Sequence, residues 1–112
     1  MENFKLTKKK TEESTVNLEN SYNELIRLFT EVSSTDDMKA LFEDMFTDAE
    51  IKDFTIRWKL MNDLYEHVPQ RTIARNLKIS LCRITRGSKM LKKKNGYIKA
   101  RLSERYDDHL HI

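Results

Sequence analysis

The strongest structural signal in this chain is the stretch Gln70–Lys92, QRTIARNLKISLCRITRGSKMLK. Its apolar spacing predicts two short helices, the first at Gln70–Leu77, joined by a tight turn at Lys78–Ser80. The second helix is rich in arginine, threonine and lysine. This pattern is typical of a helix-turn-helix that places its second helix in the major groove of DNA. The alternative is an ordinary helical hairpin whose basic face is only solvated.

Size and composition indicate one small all-α domain. The chain has 112 residues, enough for one modest core, and its 2 glycines and 1 proline favour long helices over turn-rich β structure. It contains no apolar run long enough to span a bilayer and no secretion signal at its N-terminus. The single cysteine, Cys82, cannot form an internal disulfide. We therefore expect a cytoplasmic protein with no membrane partner.

The net charge of +3 conceals a strong segregation. Between Arg71 and Arg105 there are 12 basic residues and one acid, Glu104, whereas acids outnumber bases between Glu12 and Glu66. A basic half centred on a compact motif indicates a polyanionic partner, and the helix-turn-helix pattern makes double-stranded DNA the expected one. The acidic half should face away from phosphate.

The apolar periodicity divides the chain into five segments. We expect a flexible basic N-terminal arm at 1–13, a helical dimerisation core at 14–66, the helix-turn-helix at 67–94, a C-terminal helix at 95–106 and a loose tail at 107–112. The arm is either simply mobile or adds a contact to phosphate. The core displays more large apolar side chains than one copy can cover, which predicts an obligate homodimer.

The dimerisation core is predicted to contain three helices. Their approximate bounds are Ser14–Val32, Asp36–Phe46 and Asp48–Glu66. Thr47 and Glu50 have the spacing of a capping box at the start of the third helix.

Within the motif, the residue types separate packing from contact with DNA. Ile73, Ala74 and Leu77 are expected to face the core, while Arg71 and Arg75 are either merely solvated or contact phosphates. Lys78 stands at a turn position that usually requires a left-handed backbone and favours glycine. The residues expected to contact DNA are Arg71, Arg75, Lys78, Ser80, Leu81, Cys82, Arg83, Thr85, Ser88 and Lys89.

Residues at the start of the second motif helix leave two readings open. Leu81 and Cys82 are apolar, so they either touch thymine methyl groups or pack inside the protein. Arg83 and Thr85 can bond base edges or phosphates. Gly87 lies in mid-helix, where glycine costs about 1 kcal/mol relative to alanine, so something close to its backbone needs the space. That neighbour is either a ligand ring or a crossing helix.

Several of these residues resemble a known family. Thr47–Glu50, Arg57, Gln70-Arg71, Leu77 and above all the ITRGS segment at Ile84–Ser88 are similar to the tryptophan operon repressor family. The resemblance implies an interlocked homodimer of helical chains, each with a helix-turn-helix. Such a dimer binds a pseudo-palindromic operator when L-tryptophan, as corepressor, occupies a pocket beside the recognition helix.

The resemblance also implies which residues hold the ligand. Arg57 and Arg86 would sandwich the indole ring, and Arg86 would bind the carboxylate. Gly87 would make room for the ring. The remaining implied positions are Thr47 beside the carboxylate, carbonyls near Asp44 and Phe46 of a partner chain at the ammonium group, and Met90.

The chain departs from the family pattern at three places. Met90 stands where the family usually has a small hydroxyl residue near the ammonium group, and Arg83 replaces what is often a smaller polar residue. The linker Tyr65–Pro69 is one residue shorter than in some relatives. The pocket could therefore take tryptophan, a related indole or nothing.

No other chemistry is indicated. His67, His109 and His111 have no recognisable metal spacing, and the sequence shows neither a phosphate-binding glycine loop nor a nucleophile with its base. We expect no metal, no catalytic residue and no cofactor other than the corepressor. The leading hypothesis is a ligand-responsive transcriptional repressor. The alternatives are a ligand-independent helix-turn-helix regulator and a basic helical module that binds an acidic protein.

Overall fold

The computed structural model describes residues 17–107, and within that range the chain forms α-helices and no strands. The predicted all-α class is confirmed. The predicted arm at 1–13 and residues 108–112 of the predicted tail lie outside the described range. The helices are α1 (Leu18–Thr30), α2 (Thr35–Met45), α3 (Asp48–Tyr65), α4 (Gln70–Leu77), α5 (Leu81–Leu91) and α6 (Tyr97–Asp107).

Side-chain caps set the starts of the first three helices. The side chain of Asn17 accepts the backbone N–H of Asn20, and Ser34 accepts that of Asp37 at 3.0 Å. The predicted capping box is confirmed, because Thr47 Oγ1 accepts the N–H of Glu50 while the Glu50 carboxylate accepts the N–H of Thr47. The observed helix bounds lie within two residues of the predicted ones except at the start of α1, which was predicted at Ser14 and lies at Leu18.

The chain divides into two compact units, one ending at Phe46 and the other beginning at Thr47. This boundary falls inside the segment predicted as the dimerisation core. In the first unit, the rings of Phe29, Phe42 and Phe46 meet with centroids 5.1–6.3 Å apart. No residue of α1 or α2 is fully buried. The apolar face of the first unit is therefore only partly covered by its own helices.

The second unit has a well-defined core. Leu60 of α3, Ile73 of α4 and Ile84 of α5 are buried together, so these three helices pack against one another. The prediction that Ile73, Ala74 and Leu77 face the core is confirmed. The half-buried side chains around this cluster are Leu64, Val68, Ala74, Leu77 and Ile79.

Helix α6 is held to α3 of the same chain by hydrogen bonds. The hydroxyl of Tyr106 donates to Asn62 Oδ1 at 2.6 Å, and the hydroxyl of Tyr65 donates to the Asp107 carboxylate. That hydrogen bond raises the pKa of Tyr65. Leu102 of α6 is completely buried. The loose tail was predicted to begin at Asp107, and this bound is wrong. Asp107 is the last residue of α6, because its carboxylate accepts the hydrogen bond from Tyr65 of α3.

Candidate DNA-reading helix and ligand cleft

The turn between α4 and α5 has the geometry that the sequence predicts. Lys78 adopts the left-handed conformation, with φ 57° and ψ 48°, and its N–H donates to the carbonyl of Ala74. A lysine in this conformation costs about 1 kcal/mol relative to glycine. Ser80 then caps α5, because its hydroxyl oxygen accepts the N–H of Arg83 at 3.2 Å. The turn therefore joins two helices with a defined angle between them.

One side of α5 is open to solvent. A shallow depression of about 390 Å³ runs along it, and its walls combine apolar and basic side chains. Leu81 is 54% exposed and Cys82 is also exposed. The interpretation that these two residues pack inside the protein is therefore wrong. We call this surface the outer face of α5. It consists of Leu81, Cys82, Thr85, Arg86 and Lys89.

The other predicted DNA contacts lie in different surroundings. Four of them are exposed on α4 and in the turn, namely Arg71, Arg75, Lys78 and Ser80, so they remain accessible. Ser88 is half-buried and lines a different cavity, together with Leu91. The structure therefore does not bring Ser88 onto the outer face of α5.

Arg83 also leaves the outer face. Its guanidinium lies 3.7 Å from the carboxylate of Asp53 on α3. Asp53 is not among the predicted site residues, although Asp53 and Arg57 are four residues apart and so share one face of α3. This ion pair directs Arg83 towards α3 rather than outwards.

A second, much smaller cleft lies between α3 and α5. Its volume is about 30 Å³, and its lining includes the predicted ligand residues Arg57, Arg86, Gly87 and Met90, joined by Leu60 and Arg83. Pockets for drug-sized ligands usually measure about 300 Å³ or more, so this cleft alone does not hold an indole ring.

The remaining predicted ligand residues are not part of this cleft. Thr47 is exposed at the start of α3, where its side chain serves the capping box. Asp44 and Phe46 belong to the first unit, and their placement as contacts from a partner chain stays a prediction.

Gly87 is explained by the crossing of two helices. A Cβ atom at this position would lie 2.8 Å from Cδ2 and 3.2 Å from Cγ of Leu60, closer than packed carbon atoms approach. Glycine therefore permits α5 to cross α3 above Leu60. Of the two explanations that the sequence left open, the crossing helix is confirmed, and the ligand ring stays a prediction.

Residues 17–107 show neither a metal site nor a membrane span. No group of histidine, cysteine, aspartate and glutamate side chains in that range is arranged to hold a metal ion. None of the helices there is long and apolar enough to cross a membrane.

The arrangement of α4, its left-handed turn and α5 defines a helix-turn-helix protein. The family model described as Trp repressor protein matches residues 20–106. The chain therefore belongs to the Trp repressor family, whose members are transcription regulators and not enzymes.

Similar proteins agree with this assignment. The Trp operon repressor homolog of Xylella fastidiosa strain 9a5c is 35% identical over 78 residues, which cover 69% of this chain and 85% of the relative. The homolog of the same name from strain M23 gives the same identity and coverage. No solved structure is significantly similar to this chain.

Proposed function

We propose that this protein is a transcriptional repressor that binds a pseudo-palindromic operator as a homodimer. The observation that carries the proposal is the exposed outer face of α5, with its basic rim and its capped, defined start. A recognition helix must present side chains to base edges without obstruction, and this face does so. The proposal includes a cytoplasmic location, because a repressor must reach the chromosomal DNA that carries its operator.

The roles of the two motif helices differ in this proposal. Arg71 and Arg75 on α4 contact phosphates and position the motif, because long cations reach the backbone from an exposed helix. Leu81 and Cys82 contact thymine methyl groups. Thr85 donates its hydroxyl to the carbonyl of Leu81 at 3.0 Å, so in this rotamer it offers base edges an acceptor.

The corepressor in this proposal is L-tryptophan or a related indole. Support comes from the family, from the names of the relatives and from the common location of Arg57 and Arg86 in one cleft. Because the cleft is small, a ring can enter only after the side chains of Met90 and Arg83 move, or where residues from outside the cleft form the further walls of a larger pocket. The ligand then favours the DNA-competent state to the extent that it binds that state more tightly.

A second candidate is a ligand-independent regulator of the same type. The cleft volume of about 30 Å³ favours it, since a pocket already closed by the protein's own side chains needs no ligand. Selection of operators from random oligonucleotides, with and without L-tryptophan, separates the two functions. A palindrome enriched only with ligand supports the corepressor, and equal enrichment supports the ligand-independent regulator.

The DNA-binding proposal is tested with a matched pair of charge reversals. Lys89→Glu on the outer face of α5 should weaken operator binding by at least about tenfold, because it repels phosphate, whereas Lys39→Glu on α2 should have little effect. Gel shifts at several salt concentrations measure both. Equal behaviour of the two variants, or affinity that does not fall with salt, would instead favour a module that binds an acidic protein.

A further inference from the structure

Three consecutive lysines follow the end of α5. Lys92, Lys93 and Lys94 come directly after the last residue of the helix, and all three are exposed. None of them forms a salt bridge with an acidic residue among residues 47–107. The end of α5 therefore presents a cluster of positive charge that no described residue of the second unit neutralises.

The backbone holds part of this cluster in a closed turn, Lys93–Gly96, which we call the lysine turn. The N–H of Lys93 donates to the carbonyl of Met90 at 3.3 Å, and the N–H of Gly96 donates to the carbonyl of Lys93 at 3.1 Å. Asn95 adopts the left-handed conformation, with φ 56°, which asparagine tolerates. A Cβ atom at position 96 would lie 3.2 Å from the carbonyl oxygen of Lys93, so glycine permits this closure. The backbone of the lysine turn is therefore fixed before any partner binds.

Lys93 continues the outer face of α5. It lies four residues after Lys89, and residues at this spacing share one side of a helix. The helical winding extends almost to this point, because the N–H of Lys92 still donates to the carbonyl of Ser88 at 3.0 Å. Lys92 itself lines the same cavity as Ser88, away from the outer face, so we assign it no role here.

The dipole of α5 does not account for the lysine turn. A helix C-terminus favours positive charge within its last turn, and Lys89 and Lys92 already supply it there. Lys93 and Lys94 come after the end of the helix, where this interaction falls off. A different negative partner is therefore needed to explain them.

The length of α5 indicates where that partner lies. The helical rise from Leu81 to Lys93 is about 18 Å, because each residue adds about 1.5 Å. The major groove of B-DNA is about 12 Å wide. When α5 enters the groove with its N-terminal residues, its C-terminal end lies beside the phosphates that border the groove. A lysine at that end meets phosphate and not a base edge.

We propose that Lys93 and Lys94 form an additional phosphate-binding surface, which contacts the DNA backbone beside the groove that α5 enters. This inference rests on the proposed DNA binding and adds to it the partner of the lysine turn. Phosphates are the same at every base pair, so these contacts raise the affinity for any sequence. The lysine turn therefore strengthens binding without reading the operator.

The test removes both charges and measures how binding depends on salt. In a dimer, Lys93→Gln/Lys94→Gln removes four contacts, so the slope of log affinity against log salt concentration should become shallower by about 3–4, since each contact contributes about 0.9. The affinity at about 0.1 M salt should fall at least about tenfold. Lys93→Arg/Lys94→Arg should keep both values, because arginine also binds phosphate. Fluorescence anisotropy with a labelled duplex, the operator selected from random oligonucleotides, measures all three proteins.

A second measurement distinguishes contact with phosphate from reading of bases. The glutamine variant should lose affinity by the same factor for the selected operator and for a scrambled duplex of equal length, whereas Thr85→Ala should lose affinity mainly for the operator. The control is Lys39→Gln/Lys59→Gln, which has the same change in net charge on exposed lysines of α2 and α3. Its salt dependence should equal that of the wild-type protein.

Three results would overturn the inference. They are an unchanged slope in the glutamine variant, an equal change in the control, and a loss of affinity confined to the selected operator. If the wild-type protein selects an operator and the glutamine variant binds it equally well, only this inference fails. If the wild-type protein binds no duplex at all, the proposed function itself fails.

Discussion

The two units of the chain bury their apolar side chains to different extents. In the unit that begins at Thr47, Ile73, Ile84 and Leu102 are completely removed from solvent by neighbouring helices of the same chain. In the unit that ends at Phe46, no residue of α1 or α2 is buried, and Ile26 remains 46% exposed. The first unit therefore has a strong amphipathic pattern without a core of its own. Such a surface is typical of an interface, and the predicted homodimer would cover it.

Truncation of one apolar side chain in each unit should lower the free energy of unfolding by very different amounts. Ile84→Ala should lower the free energy of unfolding by about 2–5 kcal/mol, because it leaves a cavity in a packed core. Ile26→Ala should cost less than about 0.5 kcal/mol in dilute protein, where a half-exposed side chain loses few contacts. Urea unfolding monitored by circular dichroism measures both losses.

Protein concentration tests whether a second copy covers the first unit. If a second copy covers α1, the loss at Ile26 should grow as the concentration rises, since dimerisation adds to stability by mass action, whereas the loss at Ile84 should change less. A large loss at Ile26 that is independent of concentration would contradict the contrast between the units. A small loss at every concentration would count against the homodimer.

A smaller effect is expected where α5 crosses α3. Gly87→Ala should lower the free energy of unfolding by about 1 kcal/mol, because overpacking against Leu60 exceeds the gain in helix propensity. In a Leu60→Ala background the same change should become neutral or stabilising, since the cavity accepts the new methyl group. A double-mutant cycle by urea unfolding measures this coupling. Additive losses would show that the close approach to Leu60 is not the reason for the glycine.

The smallest effect concerns α6 and alkaline pH. The hydrogen bond to Asp107 raises the pKa of Tyr65 above its usual value of 10.0, so the folded state binds this proton more tightly than the unfolded state. The stabilisation is complete below pH 10 and is lost as the pH rises through the folded-state pKa. Tyr65→Phe should therefore remove part of the alkaline loss of stability.

Thermal unfolding between pH 8 and 11 measures this difference. The control is Tyr97→Phe, because Tyr97 is 74% exposed and forms no hydrogen bond that would be lost. An unchanged pH profile in Tyr65→Phe would mean that the hydrogen bond to Asp107 contributes nothing to holding α6 on α3.

Much of this architecture follows from short-range rules. The capping box at Thr47 and the left-handed turn at Lys78 each depend on residues within four positions of one another, so the sequence predicts both correctly. The inward face of α4 follows in the same way from its apolar spacing. The family resemblance likewise rests on a contiguous segment, Ile84–Ser88.

The site depended on contacts between distant parts of the chain. The paired residues on α3 and α5 lie some 25 to 30 positions apart in the sequence. No periodic pattern predicts that Arg83 pairs with Asp53 or that Gly87 contacts Leu60. These contacts arise when two helices cross, and the crossing is set by packing of the whole core. The positions of the helices could therefore be predicted from interactions between residues close together in the sequence. Which arginines share a cleft, and how little room it has, emerged only after the helices were assembled.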